Sequence, residues 1–192
     1  MAGTQHNGHP ASLHRAEPAR VVGQLVNIMR EVRPEAVITH DPTGGYGHPD
    51  HLAVHRHVTQ AFALARDAAY PEELAQEQQP RTPRLLYYVC FPRSNFRKMW
   101  QRMLDLGITP PFASMDIDSL GSPDEAVTTV MDVSEYVDTK IASLRCHRTQ
   151  ISPDGPFARL PAEVMREIMS TEYFTLAVHQ GDGKDADLLA RL

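Results

Sequence analysis

Residues 36–51 read Ala36-Val37-Ile38-Thr39-His40-Asp41-Pro42-Thr43-Gly44-Gly45-Tyr46-Gly47-His48-Pro49-Asp50-His51. The β-branched run at residues 36–39 is typical of a buried parallel strand, and residues 41–47 are mostly turn-forming residues. Pro49 suits the first turn of a helix, which the apolar pattern extends to about Ala65. Open α/β sheets bind ligands where the carboxyl end of a strand leads into a helix. The stretch therefore predicts an α/β fold and also the position of a functional site.

The flanking sequence continues the alternation of helices and strands. Apolar positions three and four apart predict an amphipathic helix over Pro18–Val32, and residues 85–91 form the clearest strand. Further strands are predicted at residues 127–133 and 173–178, and further helices at residues 94–106, 134–144 and 160–169. We expect one Rossmann-like α/β domain over residues 1–192, with a mostly parallel sheet of four strands and helices on both faces. Residues 1–16 should be irregular, residues 67–83 a surface loop and residues 181–192 a frayed tail.

The composition argues against several functional classes. The 192 residues include 19 lysines and arginines against 24 aspartates and glutamates, and no basic run typical of nucleic-acid binding is present. No apolar stretch approaches the ~20 residues that span a bilayer, and no secretory signal is seen, so we expect a cytoplasmic protein. Cys90 and Cys146 lack the spacing of a metal site or a disulfide scaffold. Both are expected to be buried thiols.

Histidines cluster around this candidate site. His48, His51 and His55 are spaced three and four apart, so a helix presents them on one face, as it does for metal ligands. Asp50 between them is a candidate general base or hydrogen-bond partner of an imidazole. The same spacing also occurs on solvated helix faces, and a solvated or packing role is favoured for His55 and His57. A phosphate site is disfavoured, because the glycine-rich loop matches neither nucleotide-binding motif.

Residues 37–51 together with His55 resemble the second signature of the LmbE-like, or PIG-L, zinc-dependent de-N-acetylases. This family includes enzymes that deacetylate N-acetylglucosaminyl-inositol, -malate and -phosphatidylinositol. Three further segments, residues 87–94, 140–150 and 172–176, are similar to its C-terminal half. The resemblance covers essentially the whole chain. It implies a metal-dependent hydrolase that removes an N-acetyl group from an amino sugar conjugate.

The resemblance also implies roles for individual residues. His51 corresponds to a zinc ligand. His48 corresponds to the residue that stabilises the tetrahedral intermediate or protonates the leaving amine, Asp50 to its electrostatic partner and Tyr46 to an oxyanion donor. The family's Zn²⁺ polarises the acetamide carbonyl and activates the attacking water.

Substrate contacts are expected from the loop and from one residue far along the chain. The bare backbone at Gly44 and Gly45 lets a ligand approach closely. His147 resembles a family position near the substrate cleft, although a surface position is the alternative for it. The expected ligand is an N-acetylglucosaminyl-type conjugate, and assembly into a homo-oligomer is left open.

One family signature is missing from the sequence. The family's His-Pro-Asp-Asp-Glu motif supplies two zinc ligands and the general base, but His-Pro occurs here only at His9-Pro10 and His48-Pro49. We therefore expect the chain to represent the C-terminal two thirds of the family domain and to hold zinc weakly or not at all. The alternative is a non-catalytic remnant, or a module that binds a sugar conjugate and associates with another chain.

Overall fold

Two compact units make up the chain in the computed structural model, which describes residues 5–70, residues 83–149 except 112 and 114, and residues 151–180 except 152 and 153. The first unit contains the chain up to Cys90 and from Thr175 onwards, and the second is Phe91–Phe174. The single domain of the sequence analysis stays a prediction. Most of the predicted surface loop, and the predicted frayed tail, lie outside the described residues.

Helices and strands alternate as the sequence predicts, which confirms the α/β class. The helices are α1 (Pro18–Val32), the single turn α2 (Gly44–Gly47), α3 (Pro49–Leu64), α4 (Arg93–Asp105), α5 (Val137–Arg145) and α6 (Ala162–Met169). The strands are β1 (Ala36–His40), β2 (Leu85–Cys90), β3 (Thr129–Asp132) and β4 (Thr171–His179). Short 3₁₀ turns at Gln5–Gly8 and Leu13–Arg15 precede α1. In the part of the chain that the structure describes, no helix is long and apolar enough to span a bilayer.

Helix α1 begins and ends with local signals in the sequence. The Glu17 side chain accepts hydrogen bonds from the backbone N–H groups of Ala19 and Arg20, and Pro18 occupies the first helical position, where no backbone N–H is needed. Arg33 adopts a left-handed conformation that stops the helix. The apolar face of α1 packs with α3 and β2 in a cluster whose buried members are Val22, Val26, Met29, Ala61, Phe62, Ala65 and Leu86. Burial of this face stabilises the first unit and fixes the helix that follows β1.

The sheet has the strand order β1-β2-β4-β3 and is mixed. β1 and β2 are parallel, with Ala36 opposite Leu85, because the helix between them returns the chain to the edge at which β1 began. β3 and β4 are antiparallel, with Thr129 opposite Phe174. α5 and α6 lie between β3 and β4, and the chain enters β4 at the edge where β3 ended. The sheet is therefore mixed rather than fully parallel, with β1 and β2 parallel and β3 and β4 antiparallel.

The second unit has its own apolar cluster. Its buried residues are Met99, Met103, Ile108, Leu160, Val164 and Met165. Arg166 on α6 and Asp138 on α5 form an exposed ion pair with N–O distances of 2.7 and 3.0 Å. Because exposed pairs contribute little, the apolar cluster is the main stabilising contact of this unit.

Two predictions in the second half of the chain are corrected. Cys146 is exposed, because it caps the C-terminal end of α5 beyond the last residue that packs inward, whereas Cys90 in β2 is buried as predicted. The helix predicted to begin at residue 134 begins only at Val137. Ser134 instead starts a 3₁₀ turn, and its own N–H donates to the Asp132 carboxylate at 2.9 Å.

The loop after β1 depends on glycine. Gly44 has a φ of +62°, and a Cβ at this position would lie 3.0 Å from both the His51 Cβ and the Leu52 backbone nitrogen. Gly47 also has a positive φ, of +77°, but no atom lies within 4 Å of a Cβ built there. Both glycines adopt a φ that favours glycine, and of these two only Gly44 is also packed against α3.

Gly44→Ala should therefore lower the free energy of unfolding clearly more than Gly47→Ala. Both substitutions place a Cβ in the left-handed region, at a cost of about 1–2 kcal/mol, and only the first also requires the start of α3 to move. Urea unfolding of the two variants measures the difference. An equal or smaller loss for Gly44→Ala would contradict this packing.

Burial of His57 makes stability depend on pH. This residue of α3 is 6% exposed, and its burial lowers its pKa below the usual value of a histidine. The unfolded chain, with a pKa near ~6.5, then binds more protons than the folded one, so stability falls as pH drops through and below that value. His57→Gln should reduce this loss. Urea unfolding at about pH 8 and about pH 5.5 measures it, and an identical loss in both proteins would contradict the assignment.

Candidate active site

The site is built on the loop between β1 and α3, and Asp41 holds this loop in shape. Asp41 is 8% exposed, and its carboxylate accepts hydrogen bonds from the Thr43 hydroxyl at 2.8 Å and from the Gly45 N–H at 3.0 Å. The Gly44 N–H donates to the Asp41 carbonyl at 3.0 Å. These bonds close the single turn α2, which delivers the chain to the start of α3.

His51 lies on the inner side of this loop with its ring fixed. Its Nδ1 is 3.1 Å from the Gly44 carbonyl oxygen, and the ring stacks on His40 with a centroid distance of 4.1 Å and an interplanar angle of 10°. A carbonyl can only accept a hydrogen bond, so Nδ1 carries the proton. In a neutral ring, Nε2 then keeps a lone pair, which is the state required of a metal ligand.

His48 has the opposite arrangement of its ring nitrogens. It precedes α3 as the N-cap residue, and its Nδ1 accepts the Asp50 backbone N–H at 3.2 Å. A neutral ring in this arrangement carries its proton on Nε2 and is a hydrogen-bond donor there. Burial, helped by the neighbouring His51, lowers the pKa of His48, so the ring is neutral at pH 7.

The Asp50 carboxylate binds a residue of the N-terminal segment. Its Oδ1 accepts hydrogen bonds from both the backbone N–H and the ring Nδ1 of His14, each at 2.9 Å. Burial alone would raise the pKa of Asp50, but these two bonds outweigh burial and hold it below the usual value. Asp50 therefore contacts His48 through its backbone N–H, while its charge faces His14.

Tyr46 completes the group of side chains on the loop. Its ring meets His51 edge to face at a centroid distance of 5.4 Å and lies 6.1 Å from the ring of His48. Burial raises the pKa of Tyr46, so the hydroxyl keeps its proton and remains a donor at pH 7.

The remaining predicted residues are dispersed. His55 is half-buried, donates from Nδ1 to the His40 carbonyl at 2.9 Å and packs edge to face on Tyr88, in agreement with the packing role favoured for it. His57 is buried on α3. His147 is exposed in the second unit, and its Nδ1 lies 3.2 Å from the Ser143 carbonyl oxygen.

The two predicted substrate glycines differ in their surroundings. Gly44 is buried, and its missing side chain makes room for His51. Gly45 is exposed, with open space around its α-carbon, so its backbone is accessible to a ligand. Their roles as substrate contacts stay predictions.

The described residues do not by themselves make up a zinc site. Among them, no group of three or more His, Cys, Asp or Glu side chains is arranged to hold a metal ion. His51 Nε2 has the chemistry of one ligand, but His48 presents a proton rather than a lone pair, and the Asp50 carboxylate faces His14. A catalytic zinc needs about three protein ligands, so the residues present fit only part of such a site.

Sequence reasoning missed three residues that shape this site: Asn7, His14 and His40. His14 binds Asp50, His40 stacks on His51, and the side-chain amide of Asn7 lies 3.2 Å from His48 Nε2. His14 and His40 belong to the histidines that cluster in the first part of the chain, but no spacing rule indicated which residues they contact.

Comparisons with known proteins match the part of the chain that contains these site residues. The family model described as PIG-L: GlcNAc-PI de-N-acetylase matches residues 7–62, which include the whole loop and most of α3. A 1D-myo-inositol 2-acetamido-2-deoxy-alpha-D-glucopyranoside deacetylase of Acidothermus cellulolyticus is 38% identical over 99% of this chain and 63% of its own length. The Geodermatophilus obscurus protein of the same name is 38% identical over 100% of this chain and 66% of its own length.

A third relative, deacetylase 2 of Frankia alni, is 35% identical, and the match covers 99% of this chain and 68% of the relative. The chain thus spans slightly less than two thirds of the first two relatives and slightly more than two thirds of the third. Identity at this level over nearly the entire chain, together with the family match on the loop residues, shows the relationship. The chain belongs to the PIG-L, or LmbE-like, family.

Proposed function

We propose that this chain supplies the proton and hydrogen-bond donors for amide cleavage in an N-deacetylase that acts on an amino sugar conjugate. The observation that supports it most is the cluster of His48 and Tyr46 on the loop with His51 in the first turn of α3, with ring centroids 4.8 to 6.1 Å apart. The names of the relatives point to a 2-acetamido-2-deoxy-glucosyl inositol as the conjugate.

The chemistry of amide hydrolysis needs donors of the kind that this loop holds. Addition of water to the acetamide carbonyl places negative charge on its oxygen, and the leaving nitrogen then needs a proton. His48 Nε2–H and the Tyr46 hydroxyl are both protonated at pH 7 and lie on the same loop. We assign His48 to stabilisation of the intermediate through Nε2–H or, when the ring has taken up a second proton, to protonation of the amine, and Tyr46 to the oxyanion.

Zinc belongs to this proposal as the family's cofactor. His51 Nε2 is the ligand that this chain offers, since the Gly44 carbonyl fixes the ring with that lone pair available. When bound, the metal supplies a Lewis acid for the carbonyl and for water. The acidic ligands and the general base are not assigned to any described residue. A module that binds the conjugate without cleaving it is therefore the second candidate function.

The function is tested in a chimera in which this chain replaces the matching segment of the Acidothermus cellulolyticus relative. The chimera should release free amine from the relative's named substrate, and His48→Ala should lower kcat by ~10²–10³ with metal content unchanged. Tyr46→Phe should also lower kcat, because only a hydroxyl is lost. His9→Ala, an exposed position, is the control.

Two outcomes of the chimera experiment decide against the proposal. Full turnover by the His48→Ala chimera would show that His48 has no catalytic role. Tight binding of the conjugate without amine release in the parent chimera would favour the binding module.

The isolated chain should hold Zn²⁺ weakly, because a single imidazole ligand leaves most of the ion's coordination to water. After dialysis against a mild chelator, metal analysis should find well under one zinc per chain, and His51→Ala should remove what remains. Stoichiometric zinc that resists the chelator would show that this chain supplies further ligands.

A further inference from the structure

The N-terminal segment, residues 5–16, touches the candidate site at two points that the proposed function does not use. His14 binds the Asp50 carboxylate, and the Asn7 side-chain amide contacts the His48 ring at Nε2. These contacts join positions 36 and 41 residues apart in the sequence, and both reach the group of side chains proposed for catalysis.

The segment is held in shape by its own hydrogen bonds. Arg15 donates from its guanidinium to the Gly8 carbonyl at 2.6 Å, and the Ser12 hydroxyl donates to the His9 carbonyl at 2.6 Å. The backbone N–H groups of Ser12 and Arg15 close two further turns. His14 is therefore presented to Asp50 by an ordered turn and is 24% exposed in its side chain.

His14 controls where the Asp50 carboxylate points. Two donors of one residue converge on Oδ1 of Asp50, so rotation of the carboxylate would break both bonds. Loss of the His14 ring would leave only the backbone N–H bond on Oδ1, so the Asp50 carboxylate would be less restrained and could turn toward the neighbouring His48 ring and accept a proton from Nδ1. A carboxylate next to an imidazole nitrogen favours the tautomer with the proton on that nitrogen. Nε2 of His48 would then lose its proton and could no longer donate.

Asn7 acts on the other nitrogen of the same ring. The Asn7 atom nearest to His48 Nε2 is Nδ2, at 3.2 Å. The Asp50 N–H already occupies the lone pair of His48 Nδ1, so in the neutral ring the proton is on Nε2. Rotation of the amide by 180° places Oδ1 at the same point, and only Oδ1 can accept this proton. In that orientation, the amide favours the Nε2–H tautomer of His48.

We infer that His14 and Asn7 are positioning residues that hold His48 in its Nε2–H tautomer, His14 by restraining the Asp50 carboxylate and Asn7 by accepting from Nε2–H. This inference rests on the proposed function only for its consequence in catalysis. The tautomer itself is a property of the chain without substrate or metal.

The first test is side-chain ¹⁵N NMR of the histidine-labelled chain at about pH 8, where imidazoles are neutral. The wild-type chain should show His48 mostly protonated on Nε2. His14→Ala and Asn7→Ala should each raise the fraction protonated on Nδ1. His14→Asn, which retains an N–H donor, should keep the wild-type ratio, and so should the control Lys98→Ala at an exposed position of the second unit.

The outcomes separate positioning from a structural role. A structural role predicts loss of thermal stability with the His48 tautomer unchanged, and an unchanged tautomer in folded His14→Ala and Asn7→Ala overturns the inference. Should His14→Ala fail to fold, the pair Asn7→Ala and Asn7→Asp decides. The aspartate keeps an oxygen acceptor and should preserve the Nε2–H tautomer, and a shift equal to that of Asn7→Ala overturns the role of Asn7.

The second test is kinetic and uses the deacetylase chimera. His14→Ala should lower kcat by ~10-fold with little change in KM, and His14→Asn should restore it. If the chimera is inactive but the tautomer shifts as expected, the positioning stands and the proposed function fails. If the chimera is active and the tautomer does not shift, the positioning inference is overturned and the proposed function stands.

Discussion

The missing side chain at Gly44 is the constraint on which the candidate site depends. β1 must end and α3 must begin within a few residues, and the left-handed conformation at Gly44 lets the chain reverse over that distance. The same position lies against His51, where even a methyl group meets backbone atoms of α3 at 3.0 Å. Because Gly44 leaves this space open, its carbonyl reaches the His51 ring and fixes it. The loop conformation and the orientation of the site histidine therefore have one common cause.

Uncharged imidazoles dominate the surroundings of this loop. The ring of His51 lies between His40 at 4.1 Å and His48 at 4.8 Å, and the pKa values of His40 and His48 are both lowered, mainly by burial and further by the neighbouring rings. A proton on one ring therefore makes a second proton nearby more costly. The single carboxylate next to His48 could reverse this effect, but its charge is engaged by His14. His40 and His48 are consequently neutral at pH 7.

Local sequence patterns predicted the elements, and partners distant in the sequence were not predictable. The apolar spacing of α1 and the dense apolar run of β2 are properties of neighbouring residues, so their positions agree closely with the structure. The mixed sheet depends instead on the edge to which each connection returns the chain, which periodicity does not encode. The bond between His14 and Asp50 joins an irregular segment to a helix start across 36 residues. Irregular segments have no period, so no pattern of spacing indicates what they contact.

The two histidines of the candidate site, His48 and His51, differ in function because different backbone groups face their Nδ1 atoms. At His51, a carbonyl faces Nδ1, which fixes the proton there and leaves a lone pair on Nε2. At His48, an N–H faces Nδ1, which takes the lone pair and leaves the proton on Nε2. The two Nε2 atoms therefore differ in kind, one able to bind a cation and the other able to donate to a developing anion. The carbonyl belongs to Gly44 in the loop and the N–H to Asp50 in the first turn of α3. A change in how the loop enters α3 would therefore alter both histidines together, and the separation of their roles follows from the fold rather than from the side chains alone.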